Sequence, residues 1–119
     1  WSLWIDADGH PMLSYQLFQL GRTTLRAANA LPPGHHTLRF DFVYDSGGYA
    51  RGGELRLLVD GALAGSSRVA ASPPAFFTID ETFDLGLDRG SPVGPYPDDA
   101  QPGYALSGGT VRQASIESR

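Results

Sequence analysis

The sequence contains neither cysteine nor lysine. Without cysteine there is no disulfide, no thiol nucleophile and no thiolate ligand for a metal. The compartment stays open, because a cysteine-free domain folds equally well in cytosol or periplasm. Without lysine, all nine basic residues are arginines, and they are outnumbered by thirteen acidic ones, for a formal charge of −4. The arginines are scattered and form no basic patch, so a nucleic-acid partner is not expected. No apolar run reaches the length of a membrane-spanning helix, and no charged-then-apolar leader opens the chain, so no membrane partner is expected either. The chain opens on Trp1-Ser2-Leu3-Trp4-Ile5. This reads as the middle of a strand, and the expectation is a piece of a longer gene product or a shortened descendant of one.

Helical periodicity is also missing. The nearest candidate, Leu17 to Ala30, is broken by Gly21, Thr23 and Thr24. What is present is 15 glycines and 9 prolines in clusters, with short β-rich runs between them. Hydrophobic residues at 41% and charged residues at 18% of 119 describe a folded chain with one modest core. The expected strands are Trp1 to Ile5, Met12 to Phe18, Thr23 to Ala27, Thr37 to Tyr44, Glu54 to Val59, Ser66 to Ala70, Phe76 to Ile79, Phe83 to Leu85, Tyr104 to Leu106 and Thr110 to Ile116. The clearest is Thr37 to Tyr44, where Leu38, Phe40, Phe42 and Tyr44 alternate with Arg39, Asp41 and Val43. Asp6-Ala7-Asp8-Gly9 and Asp60-Gly61 read as hairpin turns. Ser91 to Gly103, rich in proline and aspartate, reads as a long surface loop. Short antiparallel strands with one apolar face need a second sheet to cover them. The expected fold is therefore all-β, a two-sheet antiparallel sandwich of jelly-roll type in a single domain spanning residues 1–119.

Two stretches carry a resemblance. One is Leu31-Pro32-Pro33-Gly34-His35-His36-Thr37, followed by a strand and Tyr44-Asp45-Ser46-Gly47-Gly48. The other is Arg51-Gly52-Gly53-Glu54-Leu55-Arg56-Leu57-Leu58-Val59-Asp60-Gly61. Both resemble the C-terminal domain of large bacterial arylsulfatases. The segment Asp80 to Val93, the opening Trp1-Ser2-Leu3-Trp4 and the closing Gly109-Thr110-Val111 are similar to the same domain. The strand and aspartate-glycine grammar is similar, more distantly, to laminin-G and concanavalin-like jelly rolls. The resemblance implies a non-catalytic accessory module that packs on a sulfatase catalytic domain or on a second copy of itself.

The sulfatase machinery itself is missing. That chemistry needs a cysteine or serine in the frame Cys/Ser-x-Pro-x-Arg and a cluster of Asp and Asn ligands for a divalent cation. Ser72-Pro73-Pro74-Ala75-Phe76 matches only the start of the frame, with phenylalanine where arginine is required. Sulfate-ester hydrolysis by this chain alone is not expected.

Three groups of residues are candidates for a site. Tyr49 lies in a glycine-rich loop beside Arg51; an exposed ring next to a guanidinium suits the flat face and edge groups of a sugar, which makes a carbohydrate-binding, lectin-like module the alternative function. Asp80, Asp84 and Asp88 form the densest acidic run, and carboxylate oxygens suit calcium, the one cofactor that this chain suggests. The plainer reading is that these carboxylates cap turns and pair with Arg89. Asp6 and Asp8 alternate like the start of a calcium loop but lack its remaining ligands, so a hairpin turn is expected there. His35 and His36 are adjacent and face opposite ways on a strand; His36 reads as a structural hydrogen bonder.

Overall fold

The computed structural model describes residues 1–74, 83–97 and 103–118. Among these residues there is no helix. Six strands form two three-stranded antiparallel sheets: β1 (Ser2–Ile5), β2 (Pro11–Leu17) and β3 (Gly21–Arg26) in one, β4 (Leu38–Tyr44), β5 (Gly53–Val59) and β6 (Ala62–Val69) in the other. The protein is a small β-sandwich of two consecutive meanders, with β2 facing β5 and β3 lying against β6. The Greek-key crossings of a jelly roll are not seen among the described residues.

The turns are set by local chemistry. After β1, one carboxylate oxygen of Asp6 accepts the backbone N–H of Asp8 at 3.0 Å and of His10 at 2.9 Å, while Gly9 takes a φ of 86° that an L side chain resists. The β5–β6 hairpin turns on Asp60 and Gly61 with φ of 51° and 82°, the paired left-handed geometry that aspartate-glycine favours. Between β2 and β3 the chain reverses sharply, with the Leu20 N–H on the Leu17 carbonyl at 2.9 Å and Phe18 at φ 46°. Phe18, expected inside β2, therefore belongs to the turn.

The core lies between the sheets. Leu13 and Tyr15 of β2 meet Leu55 and Leu57 of β5, with Ala27 and Val69 completing the buried cluster. Each fully buried leucine contributes about 1.5–3 kcal/mol of burial energy. Alternation holds cleanly in β5, whose other face carries Glu54 and Arg56, bonded at 2.9 Å. It fails in β2, where Pro11 through Tyr15 are all buried. The reason is a third layer. Pro92, Tyr96 and Tyr104 lie on the outer face of the first sheet: Arg22 donates to the Pro92 carbonyl at 3.0 Å, Tyr96 bonds Ser2 at 2.8 Å, and Tyr104 donates to the Ile5 carbonyl at 2.8 Å. Trp4 stands edge-on to both tyrosines, and its indole N–H donates to the buried Ser14 hydroxyl at 3.1 Å.

Three expected strands are corrected. Phe83 to Leu85, Tyr104 to Leu106 and Thr110 to Ile116 are not strands. Near the first two, isolated backbone bonds replace a ladder: Asp88 N–H on the Gly103 carbonyl and Leu106 N–H on the Gly86 carbonyl, both at 2.6 Å. Residues 110–118 are exposed along their whole length and make no ladder. β6 begins at Ala62, earlier than Ser66, because the two-residue turn pairs Ala62 directly with Val59. The expected strand Phe76 to Ile79 lies outside the described residues.

Candidate functional site

The loop from Asp45 to Gly52 joins β4 to β5 and carries both residues of the sugar-stacking candidate. Its base is closed by the Asp45 N–H on the Gly52 carbonyl at 3.0 Å. Its middle is closed by Tyr44, whose hydroxyl donates to the Gly48 carbonyl at 2.6 Å and accepts the Arg51 N–H at 3.0 Å. Gly47 and Gly48 adopt φ of 103° and 135°, and Ala50 is held at 56°, so the loop is bent by backbone that only a firm base sustains. Outside the base, both oxygens of Asp45 are gripped by the Arg68 guanidinium of β6, and this bond holds the Asp45 carboxyl below the ordinary carboxylate range. Gly52 and Gly53 serve a different purpose: a Cβ on Gly52 would lie 2.1 Å from the Val69 carbonyl oxygen, and one on Gly53 2.6 Å from the Phe42 ring.

All of this fixes the loop and leaves its tip outside. Tyr49 is 89% exposed, the largest exposure of any large apolar or aromatic side chain among the described residues. Arg51 is two residues away, with its guanidinium 3.4 Å from the Gly47 carbonyl. Tyr49 and Arg51 thus share one pinned loop, with the Tyr49 ring exposed and the Arg51 guanidinium turned to the Gly47 carbonyl.

The acidic candidates are placed elsewhere and are occupied by the chain's own donors. Asp84 accepts the Arg89 N–H at 2.9 Å. Asp88 accepts the Val93 N–H at 3.1 Å and the Tyr96 hydroxyl at 2.6 Å. Burial, and then the bond to Asp88, push the Tyr96 phenol up to about 12. Asp80 lies outside the described residues. Among the described residues no group of three His, Asp or Glu side chains converges as a metal site would require. In the first hairpin, burial raises the Asp6 carboxyl, but the His10 N–H, Arg26 at 2.7 Å and the Asp8 N–H outweigh it and hold the carboxyl low. Those oxygens serve the turn.

His10 and His36 are equally committed. His10 donates through Nδ1 to the Ala27 carbonyl at 2.9 Å. His36 lies between the Asp60 carboxylate and the Pro32 carbonyl, each 2.8 Å from a ring nitrogen. Asp60 also accepts the Thr37 N–H at 2.8 Å.

In the structure Tyr96 and Tyr104 are stacked, with centroids 4.8 Å apart and planes 4° apart, against Trp4. Their long separation along the chain left no local signal for that cluster. A shallow open depression of about 400 Å³ lies beside it in sequence, lined by Leu85, Leu106 and Val111 among others.

Fold and site together define a small all-β sandwich with one pinned, aromatic-tipped loop. Scans against family models, curated proteins and solved structures each return no match to this chain.

Proposed function

We propose that the chain is a non-catalytic accessory module of an arylsulfatase-like protein, acting by contact with a catalytic domain. One observation carries this reading: the residues through which the sequence resembles the arylsulfatase C-terminal domain are spent on holding the fold. Asp60 bonds both His36 and Thr37, and Tyr44 bonds Gly48 and Arg51 across the middle of the glycine-rich loop that follows it. Exposed apolar side chains support a packing role. Trp1, Phe83, Leu85 and Leu106 are each more than a third exposed, and Trp1 packs on Phe83 and on Phe40 of β4. The test is an intact-mass measurement on the natural gene product, with an aryl-sulfate hydrolysis assay on this chain alone. A larger product carrying a Cys/Ser-x-Pro-x-Arg segment, with no turnover by the isolated chain, is the expected result. Turnover by the isolated chain would overturn the reading. Sedimentation across a range of concentration separates a homodimer, the other means of covering those side chains, from a monomer that awaits its catalytic domain.

The exposure of Tyr49 on its pinned loop favours a second reading, a glycan-binding module. In it the Tyr49 ring stacks on the sugar face and Arg51 receives an acidic or sulfated substituent. A screen against sulfated and neutral glycans tests it, with Tyr49→Ala as the control; equal retention of both proteins would reject it. No observation favours the calcium reading over the internal bonds of Asp84 and Asp88.

A further inference from the structure

His36 sits at the junction of two segments that are distant in sequence, the loop Leu31–Thr37 and the hairpin turn at Asp60. The groups facing its two ring nitrogens are both pure acceptors. Nδ1 is 2.8 Å from an Asp60 carboxylate oxygen, and Nε2 is 2.8 Å from the Pro32 carbonyl oxygen. A neutral imidazole has one N–H and one lone pair, so it satisfies one of these oxygens and sets its lone pair against the other. Only the imidazolium donates to both. The titratable groups of the two segments are His35, His36 and Asp60. Asp60 is the charged group that acts on the His36 ring.

We propose that His36 and Asp60 form a proton-operated latch that ties the Leu31–Thr37 loop to the β5–β6 turn when His36 is cationic and frees its Pro32 end when His36 is neutral. The hinge point follows from the second bond of Asp60. Its other oxygen holds the Thr37 N–H at 2.8 Å, and its own N–H donates to the Thr37 carbonyl at 2.8 Å. These two bonds involve no histidine, so Thr37 and the start of β4 stay anchored in either state. The neutral ring keeps its stronger partner, the carboxylate, and releases the Pro32 carbonyl. Pro32 to His35 then lose their tie to His36, while the Leu31 N–H stays on the Gly9 carbonyl at 2.9 Å; Gly34, at φ 143°, is positioned to absorb the movement between these two anchors. The direction of the titration agrees: the bond to Asp60 and then that to Pro32 raise the His36 pKa above the ordinary imidazole value. This inference stands apart from the glycan reading, since it concerns the opposite end of β4 from Tyr49, and it requires no catalytic partner.

The experiment is a pH titration by NMR of the whole chain, reading the His36 ring nitrogens, the Pro32 carbonyl carbon and the Thr37 amide. His36 is expected to titrate at higher pH than it does in the same chain unfolded in urea. The Pro32 carbonyl shift should move with the same midpoint, while the Thr37 amide keeps its protection throughout. Asp60→Asn removes the charge yet keeps a side-chain carbonyl for Thr37 and tolerates the φ of 51°, so it should fold and bring the His36 midpoint down. A native midpoint at or below the urea value would overturn the latch. So would a Pro32 signal that ignores the His36 titration. The wild-type measurements decide the matter without the variant.

Discussion

The ring of Tyr15, on β2, stacks on that of Phe42, on β4, with centroids 5.7 Å apart and planes 19° apart. The pair bridges the two sheets, and it places the Tyr15 hydroxyl, on a residue only 4% exposed, where it has no hydrogen-bond partner among the described residues. Burial raises its pKa accordingly. An unmade bond to a buried hydroxyl costs about 1–3 kcal/mol. Tyr15→Phe should keep the stack, remove the cost and raise stability by about 1 kcal/mol. A urea melt that shows a lower midpoint for this variant would mean that the hydroxyl has a partner in solution.

Gly52 and Gly53 test how closely the strands approach. With a Cβ meeting the Val69 carbonyl or the Phe42 ring, the obstacle is backbone or packed core and cannot swing away. Gly52→Ala and Gly53→Ala should each destabilise by at least about 1–3 kcal/mol. Gly61→Ala meets no atom within 4 Å, but it suffers from a φ of 82°. Comparing the three melts separates steric crowding from backbone strain.

Tyr44 and Tyr49 divide the work of the β4–β5 loop. Tyr44→Phe removes both bonds of the hydroxyl and should cost about 1 kcal/mol, with faster amide exchange at Arg51. Tyr49→Ala removes an exposed ring and should leave stability within about 0.5 kcal/mol of the parent. If the glycan reading is right, Tyr49→Ala loses retention outright and Tyr44→Phe weakens it in part.

Stability should fall on both sides of a middle pH range. The carboxyls of Asp6, Asp45 and Asp60 are held low in the folded state. Their contribution is present above the unfolded value of about 3.9 and is lost as pH falls through the depressed folded values. His36 is raised, so its contribution is complete below about 6.5 and is lost as pH rises through its folded value. Tyr96 follows the same sign at higher pH, losing its contribution between about 10 and about 12. Urea midpoints measured across pH should trace this dome. In His36→Gln the alkaline slope next to the imidazole range should vanish while the acid limb remains.

The sequence by itself determined the strands of the two meanders and the turns between them. Period-two alternation marked β4 and β5, and aspartate-glycine pairs marked both two-way turns, because side-chain direction and left-handed backbone are local properties. It also marked Asp6, Asp8 and Asp60 as turn residues. Only the tertiary structure decided the rest. That Pro11 to Tyr15 are buried on both sides depends on a segment some 80 residues later folding back over Trp4. The expected strands at Phe83 to Leu85 and Tyr104 to Leu106 form no ladder among the described residues, where isolated backbone bonds, Asp88 to Gly103 and Leu106 to Gly86, join this region instead. For Asp84 and Asp88 the sequence made caps the plainer reading and ligands the alternative, and only the fold shows Arg89, Val93 and Tyr96 as the donors they accept from. His36 shows the boundary most plainly. Its residue type is local information, whereas its charge depends on Asp60, a residue that reaches it only because β4 and β5 pair in register.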